Sequence, residues 1–172
     1  MAKVFTFNGV QAINFVDLKE KEIYKVLEFR NHPEICKWMY NSSILSLQAH
    51  LDFLESLKTT PSTCYWVFKK DEDFLGVGSL KRINIAHKNA YLGIYKNPEK
   101  KGVGDEILQF LEYIAFDSFG LHSLVLEVIA SNKKAIACYE RNKFVHTGTL
   151  KEYVFMNKKY QDVLIYGKIN AK

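Results

Sequence analysis

The sequence predicts an α+β domain built on a single mixed, mostly antiparallel sheet of about seven strands flanked by about four helices. Three observations lead there. From Thr63 to Tyr95, short apolar runs alternate with turn signals, as in a strand meander. From Val103 onward the hydrophobic period switches in the order helix, strand, helix, strand, strand. The 172 residues, 48% hydrophobic, can bury one core. They contain no repeat, low-complexity tract or linker, so a single domain over 1–172 is expected.

Residues 9–16 read as the first strand. Glu20–Asn31 places Ile23, Val26, Leu27 and Phe29 at near-helical spacing, and Pro33 ends that helix. Ser46–Leu57 is a second amphipathic helix with Ser46 as its N-cap. Strands Cys64–Lys69 and Phe74–Ile83 flank a turn at Asp71-Glu72-Asp73, and His87-Lys88-Asn89 leads into a strand over Ala90–Tyr95. A helix follows from Val103 to Phe119, with a stripe of Ile107, Leu108, Leu111, Ile114 and Ala115, closed by Gly120. Leu121–Ala130 is a strand and Ser131–Asn142 a helix. Phe144–Phe155 and Tyr160–Ile169 form a last hairpin around Asn157-Lys158.

Composition excludes several classes. With 25% charged and 14% aromatic residues the chain is neither disordered nor acidic and solvating; 9 Gly and 3 Pro exclude a collagen-like chain. The net charge of +5 suits an anionic ligand such as a nucleotide or coenzyme, and no run of five Lys/Arg points to nucleic acid. Leu124–Ala130 and Val103–Phe119 are too short or too charged to span a membrane. The N-terminus lacks the apolar stretch of a signal peptide. Cys36, Cys64 and Cys138 are scattered, which predicts free thiols in a reducing cytoplasm and no zinc site.

Three features carry chemistry. In Lys100-Lys101-Gly102-Val103-Gly104, glycines at a helix start let backbone N–H groups converge on a phosphate, and Lys100 and Lys101 would add charge. An ordinary helix-start turn explains the same residues equally well on the motif alone. Glu127, inside an apolar strand, is either paired, exposed at an edge, or open to a cleft where it suits general-base work. Asn132-x-x-Ala135-x-x-x-Tyr139 places an amide, a small residue and a phenol on one helix face. A tyrosine there can protonate a departing thiolate; an N-cap with a core aromatic is the alternative.

The segments Pro98-x-x-Lys101-Gly102-Val103-Gly104 and Asn132-x-x-Ala135-x-x-x-Tyr139-Glu140-x-Asn142-x-Phe144, with a strand between them, resemble the GCN5-related N-acetyltransferases (GNAT). The resemblance implies the GNAT fold with strands splayed at the coenzyme site, acetyl-CoA as co-substrate, and no metal. It implies pyrophosphate on the backbone of Lys101, Gly102, Val103, Gly104 and Asp105. The pantetheine arm would pair with Ile94, Tyr95 and Lys96 and touch Asn132 and Ala135. A backbone N–H near Tyr95 would polarise the thioester oxygen, and Tyr139 would protonate the thiolate. Two positions depart from the pattern: Glu99 stands where Gln or Arg is usual, and Lys143 where Gly is usual.

Leu27-Glu28-Phe29-Arg30-Asn31-His32-Pro33, Trp38-Met39-Tyr40, His50-Leu51-x-Phe53, Leu75-Gly76-Val77-Gly78-Ser79 and Tyr91-Leu92-Gly93-Ile94-Tyr95-Lys96-Asn97-Pro98 are similar to the N-acetyltransferases of pseudaminic acid biosynthesis. Those enzymes acetylate the 4-amino group of a UDP-linked 4-amino-4,6-dideoxy sugar used in flagellin glycosylation. The resemblance implies an acceptor site lined by Arg30, His50, Lys81 and Tyr95. Ser79 and Glu127 would deprotonate the amine, Glu127 directly or through water. Plainer readings stand beside these: Arg30 as a helix-end brace, His50 as a surface residue, Lys81 as a solvated side chain. The Arg-Asn-x-Pro turn also resembles acetyltransferases of ribosomal-protein N-termini, a peptide-acceptor alternative. A non-catalytic acyl-CoA sensor is a third, which the presence of both Tyr139 and Glu127 disfavours. No nucleic-acid or membrane partner is expected, and the C-terminal hairpin offers an edge for a homodimer.

Overall fold

In the computed structural model, which describes residues 4–171, the chain opens with a hairpin. Strands β1 (Val4–Phe7) and β2 (Val10–Asn14) turn at Asn8-Gly9, both with positive φ. This corrects the single strand expected over 9–16: Asn-Gly is a two-residue hairpin turn, and β1 is short and only partly buried. Three helices follow: α1 (Glu20–Asn31), α2 (Pro33–Cys36) and α3 (Leu47–Leu57). Pro33 therefore does more than end α1. It opens α2, capped by His32, whose Nδ1 accepts from the Glu34 N–H at 3.2 Å. Ser46 caps α3 as expected, accepting from the Ala49 N–H at 3.1 Å.

The meander comprises β3 (Cys64–Lys70), β4 (Asp73–Asn84) and β5 (Asn89–Lys96). Helix α4 (Val103–Tyr113) continues into a π-helical turn over Ile114–Ser118 and ends at Gly120, whose φ is +64°. Then come β6 (Ser123–Ile129), α5 (Lys133–Arg141), β7 (Val145–Met156) and β8 (Lys159–Ile169). Among the described residues, eight strands and five α-helices thus stand where about seven and about four were expected. The sheet order is β1-β2-β3-β4-β5-β6-β8-β7, and among these strands only β5 and β6 pair in parallel.

Each face of the sheet carries its own core. On one, Ile107, Leu108, Phe110 and Leu111 of α4 are fully buried against Trp66, Phe68, Leu80, Leu92, Leu124 and Leu126. Removing one such side chain from water contributes about 1.5–3 kcal/mol. On the other, Val26, Phe29, Leu54 and Leu57 from α1 and α3 pack on Val67 and Val77. All three cysteines are buried, and none forms a disulfide among the described residues. Among the described residues no helix is long and apolar enough to cross a membrane.

The strands β5 and β6 pair only at Asn89–Ser123, Ala90–Leu124 and Tyr91–Val125. Beyond those positions they diverge, β5 held by β4 and β6 by β8, leaving a gap in the sheet. This is the splay that the family resemblance implies.

Helix α5 ends in a Schellman motif: the Lys143 N–H donates to Glu140 O and the Phe144 N–H to Tyr139 O, at 2.9 and 3.0 Å. Lys143 takes the left-handed position with φ +64°, where glycine is unstrained. We expect Lys143→Gly to stabilise the fold by about 1 kcal/mol, the cost of a left-handed non-glycine residue. Thermal unfolding should show a rise in Tm; a fall would mean that the lysine side chain contributes more than its backbone strain costs.

Candidate active site

The glycine turn lies at the open end of the gap. Asn97 pins it to the sheet: its backbone N–H donates to Leu75 O at 2.7 Å, and its buried side-chain amide donates to Phe74 O at 2.9 Å. The Lys96 ammonium closes the turn from within, donating to Asn97 O and Lys100 O at 3.2 and 2.6 Å. Gly102 is the N-cap of α4 with φ +77° and no side-chain cap, so the first-turn N–H groups are left without helical partners. A Cβ on Gly104 would make only ordinary contact with Cys138 Sγ, at 3.5 Å. The protein's own packing thus leaves that helix start bare, as a pyrophosphate requires. Lys101 is exposed beside it. Lys100 does not add its charge there, because it is paired with Asp73 at 2.8 Å.

Asp105 contributes backbone only. Its carboxylate turns onto α5, where Arg141 Nη2, Asn142 Nδ2 and the Cys138 thiol donate to it at 2.9, 2.5 and 3.4 Å. Partial burial works to raise its pKa, but these donors outweigh it and hold the carboxyl low. Burial and the same Asp105 push the Cys138 thiol up to about 12, which removes it as a nucleophile.

Along the gap, strand alternation decides which backbone groups are free. Because the Asn97 N–H points to β4, those of Gly93 and Tyr95 do too, while those of Ile94 and Lys96 face the gap. Of the backbone N–H groups near Tyr95, the register thus leaves that of Ile94 facing the gap, available for the expected contact with a thioester oxygen. Asn132 caps α5, accepting from the Ala135 N–H at 3.2 Å; its amide nitrogen and the half-buried Ala135 remain near the gap. Tyr139 is buried, edge-on to Phe144 at 6.1 Å between centroids, and its hydroxyl makes no hydrogen bond to another described residue. Burial raises its pKa, so the phenol stays protonated and can donate.

The acceptor-side residues stand on the opposite face. Register partners share a face, so Lys81, Tyr91 and Val125 lie together, with Ser79, Gly93 and Glu127 two residues further along their strands. Glu127 accepts a 2.7 Å hydrogen bond from the Tyr40 hydroxyl, and Tyr40 meets Tyr153 edge-on at 6.5 Å. Lys81 is reachable by solvent yet sits in a concave setting: desolvation lowers its pKa, with Glu127 opposing. Ser79 is buried, its Oγ 3.4 Å from Gly93 O and beside the Tyr65 hydroxyl. Burial raises the Tyr95 pKa, with Arg30 opposing.

Two expected contacts are otherwise engaged. Arg30 donates to Cys36 Sγ at 3.4 Å and Asn41 O at 2.5 Å, and Asn31 exchanges two bonds with Leu45 at 2.8 and 2.9 Å. Together they brace the loop over 37–46 that carries Tyr40. His50 is buried rather than on the surface, and its Nε2 has no hydrogen-bond partner among the described residues. Sequence reasoning missed Tyr40 as a site residue. Its partner Glu127 is 87 positions away, and the only available signal was an aromatic in a loop after a proline turn.

Residues 24–144 match the family model described as Acetyltransferase (GNAT) family. The chain is 30% identical over 149 residues to acetyltransferase PseH of Campylobacter jejuni subsp. jejuni serotype O:23/36 (strain 81-176), covering 87% of this chain and 93% of that one. It is 37% identical over 95 residues, 54% of each chain, to spermidine N(1)-acetyltransferase of Vibrio cholerae serotype O1. The crystal structure of Campylobacter jejuni N-acetyltransferase PseH in complex with acetyl coenzyme A superposes with a TM-score of 0.73 at 25% identity, covering 94% and 99% of the two chains.

His50 generates a pH prediction. Burial lowers its folded pKa, against the pull of the Ile23 backbone. Below the unfolded value of about 6.5 the unfolded chain binds a proton that the folded chain refuses, so stability falls as pH drops through that value. Urea unfolding from pH 7.5 to 5.5 should show this loss, and His50→Gln should flatten it. Parallel curves would remove His50 as the cause.

Proposed function

The chain belongs to the Acetyltransferase (GNAT) family and is an acetyl-CoA-dependent N-acetyltransferase; from that premise we propose that its acceptor is the 4-amino group of a UDP-linked 4-amino-4,6-dideoxy sugar, as in pseudaminic acid biosynthesis. The observation that supports this most is the acceptor face itself. It joins one carboxylate, Glu127, to a cation, Lys81, across the divergence of β5 and β6. A base beside a cation suits an amine borne on an anion. The spermidine acetyltransferase of Vibrio cholerae is also a relative, but a polycationic acceptor would meet Lys81 as a like charge.

Transfer proceeds directly between bound reactants in this reading. Glu127, its carboxylate oriented by Tyr40, takes the amine proton directly or through water, so that a neutral nitrogen attacks the thioester carbon. The Ile94 N–H lies where charge gathers on the thioester oxygen. Tyr139 gives its proton to the sulfur as the carbon–sulfur bond breaks. Lys101, Gly102, Val103, Gly104 and Asp105 hold the coenzyme pyrophosphate by backbone N–H groups, while Asn132 and Ala135 border the pantetheine arm. Ser79 and Tyr95 border the acceptor side in this reading, while Arg30 acts on it only by bracing the loop that carries Tyr40.

Free-thiol release from acetyl-CoA tests the acceptor, with the UDP-amino sugar, a ribosomal N-terminal peptide and spermidine offered separately. Release with the sugar alone is expected; release only with the peptide or spermidine would overturn the assignment while leaving the transferase. Tyr139→Phe should lower kcat by roughly 10²–10⁴-fold with acetyl-CoA affinity nearly kept. An unchanged kcat would take Tyr139 out of the chemistry.

A further inference from the structure

In the last hairpin, Leu150 of β7 faces Val163 of β8, and Val154 faces Gln161. Between those pairs three residues of β7, Lys151, Glu152 and Tyr153, stand against one residue of β8, Asp162. An excess of two leaves the alternation on either side unchanged, so this bulge does not exchange the faces of the strand. It redirects only its own three residues. Asp162 holds it in place: the carboxylate accepts from Lys151 Nζ at 2.8 Å and from the Glu152 N–H at 2.9 Å. Glu152 takes a left-handed backbone there, φ +46°. The Asp162 carbonyl accepts from the Ala130 N–H at 3.0 Å. Ala130 directly follows β6, so the bulge is tied to the strand that carries Glu127.

The bulge presents Tyr153 to Tyr40. The two rings meet edge-on, 6.5 Å between centroids, and the Tyr40 hydroxyl donates to Glu127 Oε2 at 2.7 Å. Burial and Glu127 keep Tyr40 protonated, with Tyr153 adding to the same effect, so the hydroxyl is a donor at that oxygen. The other carboxylate oxygen, Oε1, is then the one turned to an amine or a water. Arg30 and Asn31 fix the loop over 37–46 at the Asn41 and Leu45 backbone, not at the Tyr40 ring. Tyr40 is 54% exposed. A half-exposed phenol that keeps one position needs a second hold, and Tyr153 supplies it. A chance surface pairing would explain two rings in contact. It would not explain a strained, interrupted ladder, pinned by two bonds to one carboxylate, at the place that makes the contact.

We propose that Tyr153 is a positioning residue for deprotonation of the acceptor amine: it holds Tyr40, and Tyr40 holds the Glu127 carboxylate. The inference rests on the reading given above in which Glu127 is the base. It does not depend on which amine is the acceptor. A base that must meet a nitrogen at hydrogen-bond distance loses rate when its carboxylate swings, so a contact two residues removed from the chemistry acts on kcat. Because the bulge is bonded to the end of β6, the ring that steadies Tyr40 and the carboxylate that Tyr40 steadies share one strand as their reference.

Two measurements on the full chain test this. The first compares backbone hydrogen exchange in the wild type and Tyr153→Ala, and needs no acceptor. Exchange over 37–46 should quicken about two- to tenfold, the scale of one aromatic pair, while β6 and β8 stay protected. Tyr153 is 58% exposed, so the truncation leaves the core intact. The second measures kcat and KM with the acceptor that supports thiol release. Tyr153→Ala should lower kcat by a similar factor with the KM for acetyl-CoA nearly kept, and Tyr153→Phe, which keeps the ring, should recover most of the loss. In a Tyr40→Phe background, where no hydroxyl reaches Glu127, Tyr153→Ala should add little. Unchanged exchange over 37–46, an unchanged kcat, or an equal loss in the Tyr40→Phe background would overturn the proposal. A kcat untouched by Glu127→Gln would remove Glu127 as the base, a failure of that reading which the exchange result does not share.

Discussion

Everything at this site depends on β5 and β6 being parallel neighbours that pair at only three positions. Parallel strands need a crossover, and α4 supplies it. The chain leaves β5 at the open end of the gap, so the turn into α4 must lie there, with unpartnered helix N–H groups beside unpaired strand edge. A buried edge needs partners for its backbone. An extended, amide-bearing arm with a phosphate at one end satisfies both demands together. The proposed coenzyme site therefore follows from topology before any side chain is chosen. Gly76 shows how closely the flanking strands are drawn: a Cβ there would come within 2.4 Å of Tyr95 O and 2.8 Å of Ile107 Cδ1.

A polar seam between α4 and α5 makes that arrangement rigid. Asp105, Gln109 and Glu112 form one stripe of α4. Asn142 donates to Asp105 and accepts from Gln109 at 2.5 and 3.3 Å, and the Lys168 ammonium bridges Glu112 Oε2 and Asn142 O at 2.6 and 2.8 Å. Burial works to raise the Glu112 pKa and Lys168 to lower it, and burial prevails. Such groups stabilise little when each is satisfied, but removal of one partner strands the other away from water. The seam ties the phosphate turn at the start of α4 to the helix that carries Tyr139. In the proposed mechanism, coenzyme binding and proton donation thus share one mechanical frame.

Much of this was legible in the sequence because local physics carried it. The stripe of α4, the Ser46 cap, the glycine turn and the Asn132–Tyr139 helix each depend on neighbours a few residues away. What escaped notice depended on distant partners or on local rules giving way. The strand β1 is four residues long and half exposed, so its alternation is faint. Arg30 and His50 were readable as polar residues on helices, but not as a loop brace and a buried imidazole, because burial is settled by what packs above. Tyr40 meets Glu127 only once the loop over 37–46 has folded across the gap.

The two-faced construction also answers a chemical problem. Amide formation at a thioester needs a base to remove a proton from nitrogen and an acid to return one to sulfur, and the two must not neutralise each other beforehand. In the proposed mechanism the base is Glu127, on the face covered by α1 and α3, and the acid is Tyr139, in the core under α4. The sheet stands between them, and they meet only through the gap that the reactants would fill. Burial keeps the phenol protonated on one side, while the Tyr40 hydroxyl holds the Glu127 carboxylate in place on the other. A continuous sheet could hold both groups but would give them no common reaction space; a wider separation would let water in between. The short β5–β6 ladder avoids both, which is why its three residue pairs matter more to function than any single side chain.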